Sequence, residues 1–159
     1  MRQIVVVIIS AFMAACGGAG TNAETDIGGT EVIQQVELPA PDVSGGAGLA
    51  DALASRRSVR HFLTTPLTSE ELSQLLWATQ GVTSPAGQRT APSAGGLYPL
   101  EVYLVTAAGR YLYDPSNHQL QMLADADARE ALAEAALDQE SVREAPATFV
   151  ITAVYDRTE

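Results

Sequence analysis

The sequence predicts one domain of mixed α and β structure, preceded by a segment that has no core of its own. Three patterns carry this prediction. A leucine stripe at helical spacing follows Thr68, residues 110–123 alternate like a β-hairpin, and residues 148–155 are almost continuously apolar and β-branched. The last pattern is typical of a central strand covered on both faces. The chain has 159 residues, enough for one such domain.

Residues 1–16 have the organisation of an export signal. Arg2 supplies a short positive region, residues 4–15 are almost wholly apolar, and small residues precede Cys16. This run is shorter than the roughly 17–25 residues of a membrane-spanning helix. It resembles a bacterial lipobox, in which Cys16 would be lipidated, and so predicts a lipid-anchored envelope protein on the extracytoplasmic face of a bacterial membrane. Ordinary signal cleavage and a short membrane-associated N-terminus are the two alternatives.

Residues 17–48 predict a flexible tether between membrane and domain, because Gly, Ala, Thr, Pro and acidic residues dominate the segment. Within it, residues 32–38 have strand character and are compatible with a short edge strand. The folded domain is therefore assigned to residues 49–159.

The chain is acidic and lacks lysine. Its 9 basic residues are all arginines, against 19 acidic residues, and the formal net charge is −10. Such a surface argues against nucleic acid as a partner and against electrostatic docking on anionic lipid, so that any membrane attachment would be through the lipid. The only cysteine is Cys16, which excludes an internal disulfide and a cysteine-based metal site.

The first predicted helix starts at Leu49 and ends in the run Arg56-Arg57-Ser58-Val59-Arg60. Cations near a helix C-terminus complement the helix dipole, which is the simpler interpretation. Alternatively, three guanidinium groups and a hydroxyl so close in sequence can surround a phosphate with charge-assisted hydrogen bonds. A third of the arginines lie in this run, which brings the phosphate interpretation level with the simpler one.

The second predicted helix follows a capping box formed by Thr68 and Glu71, and Gly81 is expected to end it. Trp77 lies beside its leucine stripe and is interpreted as a second contact surface rather than a ligand platform.

A loop at residues 89–101 leads directly into the strand predicted at residues 101–106. Pro92 fixes its own φ, and the pair Gly95-Gly96 can adopt positive φ. Main-chain N–H groups of such a loop can approach a flat or anionic ligand closely. A tight turn before a buried strand is the simpler alternative.

The remaining pattern comprises the hairpin, an alanine-rich helix that starts near Asp125 with a cap at Asp127, and a short amphipathic turn stopped by Pro146. His118 follows the hairpin turn and is interpreted as a surface or turn histidine. His61 is far away in sequence, and no Ser-His-Asp order is present. No catalytic residue is therefore assigned.

Five stretches, taken in order, resemble the nitroreductase-like flavoprotein superfamily, and most closely its SagB/ThcOx-type dehydrogenase branch. These stretches are residues 56–62, 66–72, 75–83, 89–101 and 136–139. The resemblance extends over residues 53–155 and rests on the order and spacing of several separate motifs.

The resemblance implies an α+β fold, with a mixed sheet flanked by helices, that binds FMN at the interface of a homodimer. It assigns the FMN phosphate and ribityl chain to Arg56, Arg57, Ser58 and Arg60. It assigns the isoalloxazine ring to a loop generally supplied by the partner subunit, which here consists of Pro92, Ser93, Ala94, Gly95 and Gly96. The implied activity moves hydride between a reduced donor such as NAD(P)H and a small organic acceptor, which requires an open ring face rather than a protein nucleophile.

Members of the family continue beyond the equivalent of Glu159, so a C-terminally truncated member is expected. The alternative function is a non-catalytic or degenerate lipid-anchored binding module derived from a truncated flavin fold. The predicted export signal favours a stand-alone reductase or dehydrogenase over an enzyme that modifies cytoplasmic peptides.

Overall fold

The computed structural model describes residues 5–8 and 31–158 of the chain. Its strands are β1 (Val5–Ile8), β2 (Gln34–Glu37), β3 (Leu100–Thr106), β4 (Gly109–Asp114), β5 (Gln119–Ala124) and β6 (Ala147–Ala153). Its helices are α1 (Leu49–Ser55), α2 (Ser69–Gln80), α3 (Arg129–Ala135) and α4 (Glu140–Glu144), with 3-10 helices at Ala94–Gly96 and Tyr155–Thr158. The predicted lipidation site Cys16 lies outside the described residues, as do residues 17–30 of the predicted tether.

The strands form one mixed sheet in the order β1-β6-β3-β4-β5-β2. β1 runs parallel to β6, and the other neighbouring pairs are antiparallel. The interior position predicted for the last strand is confirmed, because β6 lies between β3 and β1. β1 belongs to the stretch interpreted as an export signal, and that interpretation stays a prediction.

The main core lies between one face of the sheet and α2. Alternate residues of β3 point to this face, and Leu104 is paired with Phe149 on one side and Tyr111 on the other. Leu76 of α2 packs on the same cluster and is fully buried. The mixed α and β architecture predicted from the sequence is therefore confirmed, with α2 covering the central strands.

The ends of α2 follow the predicted capping pattern. The side chain of Thr68 accepts from the Glu71 N–H at 3.2 Å, and a Glu71 carboxylate oxygen accepts from the Thr68 N–H at 2.8 Å. Gly81 follows the helix, but its φ of −63° is open to any residue. Glycine is needed there because a Cβ would overlap the Trp77 side chain.

Part of the predicted tether packs against the domain. β2 pairs with β5 at the sheet edge, which gives the strand expected within residues 32–38. Further along, the Asp42 N–H donates to Gln74 Oε1 at 2.7 Å, and Gln74 Nε2 donates to the Asp42 carbonyl at 3.0 Å. Composition does not reveal these contacts, because they depend on two apolar side chains, Val36 and Leu38, that pack on the main core. Among the described residues, none of the helices has the length and hydropathy needed to cross a bilayer.

Candidate functional site

The arginine cluster after α1 is exposed to solvent. Arg56, Arg57, Ser58 and Arg60 are all exposed. Arg57 Nη1 donates to the carbonyls of Ala54 at 3.0 Å and Arg56 at 2.8 Å, as the helix-dipole interpretation expects. The ion pairs between described residues involve none of the three arginines in this cluster. Their charges are therefore available to an external anion.

The loop at residues 92–96 has a backbone that its glycines make possible. Gly95 and Gly96 have φ of 65° and 69°. Ser93 fixes the turn, because its hydroxyl accepts from the Tyr98 N–H at 2.9 Å and its carbonyl accepts from the Gly96 N–H at 3.1 Å. A Cβ placed on Gly96 would have no atom within 4 Å, so the loop faces open space. This exposed, preformed backbone suits the approach of a flat ring.

The arginine cluster and the loop lie outside three cavities of the described part of the chain. These three cavities are lined neither by residues 56–60 nor by residues 92–96. Both segments are instead presented at the surface.

Arg89 precedes this loop and is held beside it by Tyr98. The Arg89 guanidinium carbon lies 4.6 Å from the centre of the Tyr98 ring, in a cation–π arrangement. The Arg89 N–H also donates to the Tyr98 hydroxyl at 3.3 Å, and Arg89 Nη1 donates to Gln80 Oε1 at 3.4 Å. Burial lowers the pKa of Arg89 below its ordinary value. Sequence reasoning placed Arg89 in a motif but gave it no role, because its contacts come from tertiary packing.

An acidic side chain at the start of β3 is buried and paired. Glu101 is 8% exposed, accepts from Arg157 Nη2 at 2.7 Å, and accepts from the Tyr103 hydroxyl at 3.0 Å. Burial, together with the negative charge of Glu101, raises the pKa of Tyr103 to about 12. This network fastens the Tyr155–Thr158 turn to the strand that follows the loop.

His118 occupies a turn, but it is not a surface residue. Its φ is 51°, its side chain is half-buried, and both ring nitrogens have partners. Nδ1 lies 2.9 Å from the Tyr113 hydroxyl, and Nε2 lies 2.8 Å from Ser73 Oγ and 3.0 Å from the Pro39 carbonyl oxygen. The surface half of the sequence interpretation is therefore wrong. The available signal was the core position of Leu120 two residues later, although His118 itself lies in the turn before β5.

The contacts of His118 fix its tautomer. The Pro39 carbonyl can only accept, so Nε2 carries the proton and Nδ1 accepts from the Tyr113 hydroxyl. Ser73, which is fully buried, then donates its hydroxyl to the same carbonyl. In this cluster of Pro39, Ser73, Tyr113 and His118, each buried polar side-chain atom has a hydrogen-bond partner. The hydrogen bonds join α2, the β4–β5 turn and the segment that contains Pro39. The cluster contains no group exposed for reaction, and its role is structural.

A larger cavity of about 480 Å³ opens on the core side of the sheet, away from the loop. Its lining is mainly apolar and includes Leu72, Leu104 and Leu120, with Arg129 on its wall. Arg129 is already paired with Asp127 at 2.7 Å. None of the predicted cofactor-binding residues reaches this cavity.

Comparison with known protein families matches residues 53–159 to the Nitroreductase family. The chain belongs to the nitroreductase family. The match covers the last three residues of α1, every strand except β1 and β2, and both predicted flavin-binding segments. It confirms the nitroreductase-like α+β fold expected from the sequence.

Two relatives resemble the chain over most of its length. A "putative nitroreductase" of Methanocaldococcus jannaschii is 40% identical in a 129-residue alignment that covers 77% of this chain and 65% of the relative. A crystal structure of a "putative nitroreductase" from Ralstonia eutropha superposes with a TM-score of 0.70 and 36% identity, over 89% of this chain and 65% of that one. A third structure, a "putative nitroreductase" from Anabaena variabilis, has 34% identity and a TM-score of 0.49 over 54% of this chain and 20% of that one. The chain thus spans about 65% of the length of the first two relatives.

Nitroreductase family members typically bind FMN, are usually homodimers and act on small molecules. The two candidate segments lie at the surface, which is compatible with cofactor binding where two subunits of a homodimer meet. The family match leaves the branch, the electron donor and the cellular location as proposals.

Proposed function

We propose that the chain is an FMN-dependent oxidoreductase of the SagB/ThcOx-type dehydrogenase branch. It moves hydride between a reduced donor such as NAD(P)H and a small organic acceptor. The observation that supports this function most directly is the preformed loop at residues 92–96, which has positive φ at both glycines and open space beside Gly96. When bound, FMN supplies the hydride chemistry, and the protein supplies its position and its electrostatic environment.

The residues present fit the chemistry of FMN. The guanidinium groups of Arg56, Arg57 and Arg60 are exposed and have no carboxylate partner among the described residues. With the Ser58 hydroxyl they form a donor set suited to a phosphate and a polyol chain. Two of the five residues in the loop at residues 92–96 are glycines, so no side chain at these positions would obstruct the flat isoalloxazine ring.

In this proposal the site is completed across a homodimer. α1 has no buried residue, and its leucines Leu49 and Leu53 are 76% and 64% exposed. Apolar side chains exposed together on a helix beside the arginine cluster are typical of a subunit interface. Pairing two copies there would bring the arginine cluster of one chain to the loop of the other.

The proposed location is the bacterial cell envelope, with the chain anchored through lipid on Cys16. The motive is the apolar run and the small residues before this cysteine. Metabolic labelling with a palmitate analogue tests this, because Cys16→Ser should remove all label. Label retained in Cys16→Ser would contradict the proposed anchor.

Flavin binding tests the proposed function. The purified chain, incubated with FMN and then desalted, should retain visible flavin absorbance. Arg56→Ala/Arg57→Ala should weaken FMN binding at least tenfold, because two charge-assisted contacts to phosphate are lost. Arg110→Gln is the matched control, since Arg110 is an exposed arginine on β4.

A chain that stays colourless after incubation with millimolar FMN would contradict the proposed function and favour a binding module without flavin. Equal FMN affinity in the double variant and in Arg110→Gln would reject the assignment of the arginine cluster.

A further inference from the structure

Arg89 differs from the other half-buried arginines in having no carboxylate partner among the described residues. Arg129, Arg143 and Arg157 each pair with an acidic side chain at 2.7 Å. The Arg89 guanidinium has a single hydrogen bond, the 3.4 Å contact with the neutral amide oxygen of Gln80. A guanidinium carries five N–H donors, so most of those on Arg89 have no acceptor among the residues that the structure describes.

The position of this guanidinium is fixed before any ligand binds. The guanidinium carbon of Arg89 lies 4.6 Å from the centre of the Tyr98 ring, and the Tyr98 hydroxyl accepts from the Arg89 backbone N–H. Gln80, which contacts the other end of the side chain, is itself 4% exposed. Such preorganisation reduces the entropy that a binding partner would otherwise have to offset.

A cavity of about 50 Å³ lies beside Arg89, and Arg157 also lines it. Its two acidic residues are engaged elsewhere. Glu101 accepts from Arg157 and Tyr103, and Asp114 accepts from the backbone N–H of Ser116 and the side-chain amide of Asn117. Neither carboxylate forms an ion pair with Arg89, although the charge of Asp114 still attracts the guanidinium through space.

We propose that Arg89 binds an oxyanion, a carboxylate or a phosphate, carried by the small molecule that reacts beside the loop at residues 92–96. The planar guanidinium fork matches the two oxygens of such a group. Arg89 stands three residues before Pro92, so the anion would be held at the entrance to the loop. This inference rests on the proposed function and assigns anionic compounds as its substrate class.

The test follows two sets of NMR signals in the full chain: the arginine side-chain Nε–H signals, and the backbone amide signals of Gln80 and Tyr98, which contact Arg89 and remain in every variant. Sodium benzoate and inorganic phosphate are titrated separately at constant ionic strength, with chloride as the reference anion. The Arg89 signal should shift saturably with benzoate or phosphate and not with chloride. Benzoate preference would identify a carboxylate, and phosphate preference a phosphate ester.

Three variants make the test specific. Arg89→Gln should abolish saturable binding, and Arg89→Lys should weaken it about tenfold because lysine lacks the planar fork. Arg110→Gln removes the same charge from an exposed site and should bind like the parent chain. If the NMR spectrum of Arg89→Gln is poorly dispersed, the variant is unfolded, and Arg89→Lys is then compared with the parent chain instead.

An Arg89 signal that responds to both oxyanions no more than the Arg110 signal does would overturn the inference. So would undiminished binding in Arg89→Lys. FMN uptake by the same samples is measured separately. Absence of saturable oxyanion binding in the parent chain, with FMN uptake intact, would therefore reject this inference and leave the proposed function standing.

Discussion

At the scale of single residues, two glycines are required for opposite reasons. Gly96 has a φ of 69° and open space where a Cβ would lie, so its backbone conformation demands glycine. Gly81 has an ordinary φ of −63°, but a Cβ there would overlap Trp77. The first restriction is conformational strain, and the second is steric.

We expect Gly96→Ala to destabilise the chain by about 1–2 kcal/mol, the cost of a left-handed conformation in a non-glycine residue. Gly81→Ala should cost about 1–3 kcal/mol through overpacking. Urea unfolding measures both. The two mechanisms separate in Trp77→Ala. There Gly81→Ala should cost less, because only the overlap with the backbone carbonyl of residue 77 remains, and Gly96→Ala should cost as much as before. Equal relief at both positions would contradict this distinction.

Ionisation of Tyr103 should lower the free energy of unfolding of the chain at alkaline pH. The pKa of Tyr103 is raised to about 12 in the folded state against about 10 when unfolded, so the folded state holds the proton more tightly. The resulting stability is complete below pH 10 and is lost as the pH rises to 12. Urea midpoints between pH 8 and 12 should fall less steeply in Tyr103→Phe than in the parent chain. Identical slopes would show that Tyr103 does not carry the effect.

Some site residues were accessible from sequence and others were not. Pro92 and the two glycines after Ala94 were found because they alter the backbone locally, whatever surrounds them. Arg89 and His118 were missed as contacts because their partners, Gln80 and Ser73, lie on a different element. The charge of Arg89 and the position of His118 two residues before a core leucine gave hints. Tertiary packing, however, decides which residues these two side chains contact.

At the scale of elements, α2 shows how much a local pattern can determine. Its start at Ser69 follows from the reciprocal hydrogen bonds of Thr68 and Glu71, which the sequence predicted. α3 is less regular: it begins at Arg129, and Asp127 binds the Arg129 N–H and guanidinium without serving as the N-cap. β2 was foreseen only as a possible edge strand, because its stability depends on pairing with β5.

Removing the cap of α2 should have a modest and local cost. We expect Thr68→Ala to destabilise the chain by about 1 kcal/mol, since one backbone N–H at the helix start loses its acceptor. Thr65→Ala, at an exposed position in the linker before the helix, is the control and should change stability by less than about 0.5 kcal/mol. Thermal or urea unfolding monitored by circular dichroism measures both. A loss of equal size in the control would argue against the capping role.

At the scale of the whole molecule, the exposed apolar side chains of α1 are the clearest sign of an unformed interface. Leu53→Gln should shift the proposed dimer towards monomer by at least tenfold in dissociation constant, because a central apolar contact is lost. Leu137→Gln is the matched control, since Leu137 is 89% exposed and lies far along the chain from α1. Sedimentation equilibrium measures the association. A monomeric parent chain would contradict the proposed dimer itself.

The His118 cluster has a consequence for the order in which the chain folds. The β3–β4–β5 meander closes short loops, whereas the contact between His118 and Pro39 joins residues 79 positions apart. Closing a long loop costs entropy before its contacts form, so the N-terminal segment should dock after the rate-limiting step. The segment should therefore slow unfolding without speeding folding.

Stopped-flow kinetics can measure this directly. His118→Ala leaves the buried Tyr113 hydroxyl without its acceptor and should cost about 2 kcal/mol. That cost should appear as an unfolding rate roughly 30-fold higher and a folding rate within about twofold of the parent. His61→Ala, at an exposed histidine, should alter neither rate. A slower folding rate in His118→Ala would instead place the docking of this segment in the folding nucleus, so that the chain would assemble around a contact between residues 79 positions apart.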